Sequence, residues 1–181
     1  EYYNMESKSG TGNTISVEDN FLTEEEHESV LYYCLGSKYG YGEYDRPELP
    51  PTGMVADIEE HEDIYKFFKE KTEPFASGLV LDRMYINSFA PSEIPYFHTD
   101  SGVHSDLTCL YYVNDTWDLD DGGATEFHID GNFVGVAPIP NRLLYFNADI
   151  PHRATSFRSR YRFTLAIKYI DPNGRVESTN C

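Results

Sequence analysis

Cysteine, basic side chains and long apolar runs are all scarce in this chain, and each scarcity narrows what it can be. Only three cysteines occur in 181 residues, Cys34, Cys109 and Cys181, scattered and without CxxC spacing. An odd, unclustered set supports neither a disulfide framework nor a cysteine-built zinc site. It reads as free thiols in a reducing compartment, which points to the cytoplasm. Lys and Arg number 14 against 31 Asp and Glu, a formal net charge of −17. Nucleic-acid affinity rests largely on cations that neutralise phosphates, so no nucleic-acid partner is expected of so acidic a body, despite a local basic cluster, FRSRYR, at 157–162. No apolar run approaches the ~20 residues of a membrane span, so no membrane partner is expected. The first residues also lack the basic and apolar regions of a secretory signal.

Aromatic residues are plentiful instead, at 15% of the chain with 15 Tyr, and large rings favour pleated β faces. The length suits one domain with a proper core. Residues 1–14 are polar and rich in Gly, Ser and Thr, which predicts a flexible N-terminal tail before a single domain over 15–181. ISVEDNFLTEEEHESVLYYCLG predicts a short strand and then a helix, with Thr23 as N-cap, Glu26 three residues on and Gly36 as the stop. Residues 36–53, rich in Gly, Pro and Tyr, show no periodicity and read as a long loop of the kind that is usually functional or disordered. Residues 58–76 predict a second amphipathic helix that buries Ile58, Ile64, Phe67 and Phe68. From residue 79 the chain turns to short β-type runs at 79–90, 106–114, 122–128, 132–139, 141–148, 152–157 and 161–170, with turn signals DDGG (120–123) and DGN (130–132) between them. The fold class is therefore mainly β with flanking helices, a sandwich or barrel.

The sharpest chemical signal is His98-Thr99-Asp100. In an extended segment residues i and i+2 share a face, so an imidazole and a carboxylate can converge on one ion. A third ligand would complete the 2-His-1-carboxylate triad of non-haem iron sites, and His152 in DIPHRATS is the best candidate. Ten residues further on, Arg162-Phe163-Thr164 places a guanidinium fork and a hydroxyl side by side, a pair suited to a carboxylate. A lone HxD is common by chance. Its combination with His152 and Arg-x-Thr, in this order, is not.

The pieces YINSFAPSEIPYFHTD, LTCLYYVNDTW, DDGGATEF, RLLYFNADIPHRATS and RYRFTLAIKY, all within 79–170, resemble the double-stranded β-helix (jelly-roll) core of the Fe(II)/2-oxoglutarate-dependent oxygenase superfamily. The likeness is greatest to its prolyl hydroxylase branch. The resemblance implies that His98, Asp100 and His152 hold Fe(II), and that Arg162 and Thr164 take the far carboxylate of 2-oxoglutarate with Tyr112 beside them. It implies a dioxygenase that uses 2-oxoglutarate and O₂, releases succinate and CO₂ and hydroxylates a C–H bond. Prolyl residues of a peptide or protein are the leading substrate, and a free amino acid or other small metabolite is the alternative. A binding module with a degraded site is the non-enzymatic alternative, which an intact triad disfavours. Two departures stand out. Phe89 occupies a place where many relatives have Tyr, leaving that hydrogen bond absent or supplied by Tyr112 or Tyr85. Arg160 shares a strand face with Arg162 and competes for its role. By the same resemblance, loop 36–53 stands where prolyl hydroxylases cover their substrate.

The remaining candidates have plainer readings. His104 and His128 read as surface or supporting groups, and His27 and His61 as helix positions among acids. Trp117 suits a core anchor as well as a pocket wall. Asp118, Asp120 and Asp121 lack the rest of a calcium loop and read as a solvated turn. Gly122 and Gly123 read as a tight turn with close backbone approach.

Overall fold

Side-chain alternation along the strands sorts this molecule into layers. The computed structural model describes residues 15–175; the tail expected at 1–14 and Cys181 lie outside them. In chain order the elements are β1 (Ile15–Glu18), α1 (Glu24–Gly36), β2 (Gly40–Tyr41), β3 (Met54–Asp57), α2 (Asp63–Thr72), β4 (Val80–Phe89), β5 (Leu107–Tyr112), β6 (Thr125–Ile129), β7 (Asn132–Val136), β8 (Leu143–Asn147), β9 (His152–Ala154) and β10 (Arg162–Ile170). One sheet has seven strands in the order β1-β8-β5-β10-β4-β3-β2, and a smaller sheet runs β7-β6-β9. All strand pairings are antiparallel. Two such sheets packed face to face form the expected jelly-roll core.

The large sheet presents two different faces because its strands alternate with period two. Met84 and Ile86 of β4, Cys109 and Tyr111 of β5, and Leu165, Ile167 and Tyr169 of β10 point to one side. There they pack under Leu22, Val30 and Cys34 and under Tyr65 and Phe68 of α2. Tyr85, Leu110, Tyr112, Leu144, Phe146 and Ala166 point to the other side and meet Phe127, Val134 and Val136 of the small sheet. Polar side chains on that inner face, such as Thr108, Arg162 and Thr164, are therefore buried between the sheets. This is the face that builds the site.

Local sequence explains the helix ends. Thr23 and Glu26 form the predicted capping box, Thr23 Oγ1 accepting from the Glu26 amide at 3.2 Å and Glu26 Oε2 from the Thr23 amide at 2.9 Å. The second helix starts later than predicted, at Asp63 rather than Ile58. Ile58 still follows the sheet, donating its amide to the Met84 carbonyl at 3.0 Å, and residues 59–62 make a turn closed by the Glu62 amide on the Glu59 carbonyl at 2.9 Å. Its buried face is Tyr65, Phe68 and Thr72, with Ile64 and Phe67 half-buried beside it. Strands β2 and β3 were not foreseen; both lie at the far edge of the large sheet, where β3 pairs with β4.

Candidate active site

His98 and His152 meet across an isolated antiparallel bridge, each donating its backbone amide to the other's carbonyl, at 3.0 and 2.9 Å. This brings their rings to a centroid separation of 4.6 Å. Each Nδ1 lies against the carbonyl two residues earlier, His98 on Tyr96 at 3.0 Å and His152 on Ile150 at 2.8 Å. A carbonyl only accepts, so Nδ1 donates there and the Nε2 lone pair is aimed inward, the usual orientation of a metal-binding imidazole. The Asp100 amide donates to the Ala148 carbonyl at 2.9 Å. Its carboxylate stands 3.5 Å from His98 Nε2 through Oδ1 and 3.4 Å from His152 Nε2 through Oδ2. One potential ligand atom from each of the three residues lies within 4.8 Å of the others. The structure thus brings together the three residues singled out in the sequence.

The electrostatics keep the carboxylate of this centre ionised. Burial acts to raise Asp100, but Lys168 and His152 hold its carboxyl well below the usual carboxylate range. Burial likewise acts to lower His98, yet Asp100, the Tyr96 carbonyl and Asp45 outweigh it and leave the imidazole above its ordinary value. Two imidazoles and one carboxylate are a donor set that suits iron(II), and the geometry accommodates one ion.

A cavity of about 350 Å³ runs from Arg162, Thr164 and Thr125 past the triad to Tyr44, Asp45 and Arg83. Arg162 is 1% exposed and has no carboxylate partner among the described residues. Its Nε donates to the Gly123 carbonyl at 2.8 Å and its Nη2 to Thr125 Oγ1 at 3.0 Å. Burial pulls its pKa down, because the charged form is poorly solvated there. An unpaired buried guanidinium is costly, and an anion in the cavity would relieve it. Gly123, at φ +80°, leaves no room for a Cβ against the Phe157 ring, so the carbonyl that orients Arg162 depends on glycine.

Tyr112 is placed differently from Arg162 and Thr164. It lies outside the cavity wall: its hydroxyl meets Thr125 Oγ1 at 2.7 Å and its ring lies 5.5 Å from the Arg162 guanidinium carbon. Thr125 is the hydroxyl that reaches the cavity there. Phe89 and Tyr85 line the cavity, the Tyr85 ring held between Arg83 Cζ at 4.4 Å and Lys168 Nζ at 5.8 Å. Arg160 faces away, bonded to Thr116 Oγ1 and to Asp121 Oδ2, each at 2.8 Å.

Loop 36–53 is fastened to the segment that carries His98. Asp45 Oδ2 accepts from the Tyr96 amide at 2.7 Å and from Thr52 Oγ1 at 2.9 Å, while Oδ1 lies 3.4 Å from His98 Nδ1. Glu93 accepts from the Gly53 amide at 2.5 Å. Among the other candidates, His104 pairs with Asp149 at 2.9 Å and the ring of His128 meets that of Phe133 at a tilt at the surface. His27 is tied to the core by the Tyr111 hydroxyl at 2.5 Å, a role its acidic neighbours concealed, and His61 precedes α2 instead of lying within it. Trp117 donates to the Gly122 carbonyl at 2.9 Å and serves neither core nor cavity. Asp118 and Asp121 cap a 3₁₀ turn at 119–121, as a solvated turn would.

Sequence reasoning missed Thr108, Thr125, Lys168 and Asp45. Period two held the signal for two of them: Lys168 falls on the face of Arg162 and Thr164, and Thr108 on that of Leu110 and Tyr112.

Comparison with known proteins agrees with this arrangement. Residues 84–169, from β4 to β10, match the model of the 2OG-Fe(II) oxygenase superfamily. Over 78 residues the chain is 38% identical to mouse (Mus musculus) prolyl hydroxylase EGLN3, a match covering 40% of this chain and 32% of that protein, so the chain spans about a third of the relative's length. The same fold occurs in a Trichoplax adhaerens prolyl hydroxylase solved with a peptide fragment of the hypoxia inducible factor oxygen degradation domain (TM-score 0.74, 20% identity, 93% of this chain and 89% of that one). It occurs also in a Pseudomonas putida prolyl-4-hydroxylase (TM-score 0.69, 18% identity, 87% and 92%). The chain is thus similar to the 2OG-Fe(II) oxygenase superfamily over residues 84–169, and it shares its fold with solved prolyl hydroxylases. The cofactor set of that superfamily is Fe(II), 2-oxoglutarate and O₂.

Proposed function

We propose that this protein is a 2-oxoglutarate-dependent dioxygenase that hydroxylates a prolyl residue within a peptide or protein. The observation that carries the reading is the pairing, along one cavity, of a His-Asp-His cluster with a buried guanidinium that has no carboxylate of its own. His98, Asp100 and His152 would hold the iron. Arg162, with Thr164 and Thr125 beside it and Tyr112 behind Thr125, would seat the far carboxylate of 2-oxoglutarate. The bound iron supplies O₂ activation coupled to decarboxylation of 2-oxoglutarate, with succinate and CO₂ as products. The chain's own share is positioning: a charge-assisted, two-pronged contact fixes the cosubstrate at one end. Sheet walls of Phe89, Leu110 and Ala154 keep water from the reacting centre.

The peptide reading is supported by the relatives and by loop 36–53, whose Tyr44 lines the cavity and whose Tyr41 stands exposed. Aromatic faces of this kind suit a prolyl ring. The test is succinate formation by the iron-loaded protein over a proline-containing peptide library and over free amino acids, with mass spectrometry for products gaining one oxygen. Peptide-dependent succinate above background is the expected result. A response to a free amino acid and to no peptide would replace this reading with that of a metabolite hydroxylase. His98→Ala or His152→Ala should abolish both metal uptake and turnover, and retention of both would remove the metal assignment.

A further inference from the structure

Lys168 has no part in the reading above, yet it lies inside the site. Along β10 the inward positions are Arg162, Thr164, Ala166 and Lys168. Arg162, Thr164 and Lys168 line the cavity, and the small Ala166 between them packs into the apolar cluster between the sheets. In register it stands beside Thr108 of β5 and Arg83 of β4. Its ammonium bonds to Oδ2 of Asp100 and passes over the Tyr85 ring. Asp100 is its sole ion-pair partner among the described residues. Thr108 Oγ1 donates to the same Oδ2 at 2.6 Å. Oδ1 receives neither donor and lies 3.5 Å from His98 Nε2, while His152 Nε2 lies 3.4 Å from Oδ2. The two carboxylate oxygens are thus unequal: Oδ2 carries a cation and a hydroxyl besides facing His152, and Oδ1 faces His98 with neither donor.

We propose that Lys168 is a positioning residue which, with Thr108, occupies Oδ2 of Asp100, so that a metal ion at the triad receives Asp100 through Oδ1 alone. The inference rests on the iron reading above. A carboxylate that binds through both oxygens fills two coordination positions. A chelating 2-oxo acid needs two more beside the imidazoles, and a position must still stay open. Holding one oxygen aside keeps those positions free. A cation in contact with a ligand also repels the metal, so the arrangement gives up metal affinity and gains room for the cosubstrate. That opposition in sign separates it from an ordinary buried ion pair, whose loss would loosen the site and weaken every ligand together.

The test uses the full chain loaded with Co(II), whose visible absorption reports coordination number, and compares wild type with Lys168→Met, Thr108→Val and Lys168→Arg. Lys168→Met should bind Co(II) more tightly, change the intensity of its visible bands, and bind 2-oxoglutarate about tenfold more weakly, the scale of one charge-assisted contact. Thr108→Val should shift all three readouts in the same directions by less, which keeps the test alive if Lys168→Met folds poorly. Lys168→Arg, retaining charge and donors, should restore the wild-type spectrum. Weakening of Co(II) and 2-oxoglutarate together, or an unchanged spectrum in Lys168→Met, would overturn the inference while leaving the iron reading intact. Wild-type protein that takes up no Co(II) would overturn the iron reading itself.

Discussion

Arg162 and Arg160 are two residues apart on one strand face by sequence, yet they have opposite surroundings. Arg162 is buried between the sheets with the Gly123 carbonyl and Thr125 as neutral partners, whereas Arg160 is shared among Asp121, Asp115 and Thr116 on a surface loop. Losing the first should remove a buried charge-assisted contact to 2-oxoglutarate, on the order of 2–5 kcal/mol or one to several decades of affinity. Arg162→Met is therefore expected to raise the 2-oxoglutarate dissociation constant of the Mn(II)-loaded protein by at least tenfold, and Arg160→Met to leave it nearly unchanged; calorimetric titration of both variants checks the ranking. Thiol chemistry follows from the same burial. Cys34 and Cys109 are fully buried, and burial pushes both thiols up to about 12, so the reactive thiolate is absent near neutral pH. Neither should react with iodoacetamide at pH 8 until the protein is unfolded, as peptide mapping of labelled protein would show. At this scale the sequence was legible where chemistry repeats a spacing, in HxD and Arg-x-Thr. It was not legible where contact depends on the fold. Nothing near Lys168 in the chain marks Asp100, which lies 68 positions away and is joined to it by the pairing of β10 with β5 and the bend that carries the triad.

Elements were legible to the degree that their signal is local. The capping box of α1 and the seven β-type runs after residue 79 lie where alternation and turn residues place them, because each is set by neighbours in sequence. Strand β3 was hidden: only four residues long, it is strand because β4 offers it an edge, and its amphipathic signal merges with that of α2. The same holds for loop 36–53, whose order comes from distant acceptors. Asp45 takes the Tyr96 amide and the Thr52 hydroxyl, and Glu93 takes the Gly53 and Ala90 amides. Hydrogen bonds to a charged acceptor contribute about 1.5–3 kcal/mol each. Asp45→Ala should therefore release the loop with limited effect on the core. Amide exchange across 42–52 is expected to rise at least tenfold, peptide-stimulated succinate formation to fall, and metal uptake to persist. Unchanged exchange in that segment would show that the clasp lies elsewhere.

For the whole molecule, the two sheets divide the work. The helix-covered face of the large sheet supplies an apolar core, and the inner face gathers charges that a folded protein keeps only when paired or when a ligand compensates them. Asp100 with two imidazoles, and Arg162 with no anion, are such groups, and they lie in one cavity. Ligands that bind the folded state alone raise its stability by mass action, by about 2.7 kcal/mol at a hundredfold excess over the dissociation constant. For a domain of this size each kcal/mol shifts the melting temperature by roughly 2–4 °C. Saturating Mn(II) should then raise the melting temperature by about 5–10 °C in wild type and not in His98→Ala. 2-Oxoglutarate should add to the shift only with the metal present, since Arg162 alone grips one carboxylate whereas the 2-oxo acid end needs the ion. Succinate, which keeps a carboxylate for Arg162 but has no 2-oxo acid to chelate, should add markedly less. The measurement is a set of thermal melts with metal, 2-oxoglutarate and succinate varied independently. An equal rise from 2-oxoglutarate without metal would mean that the cavity binds the acid through its cations alone, and the two ends of the site would have to be treated as independent.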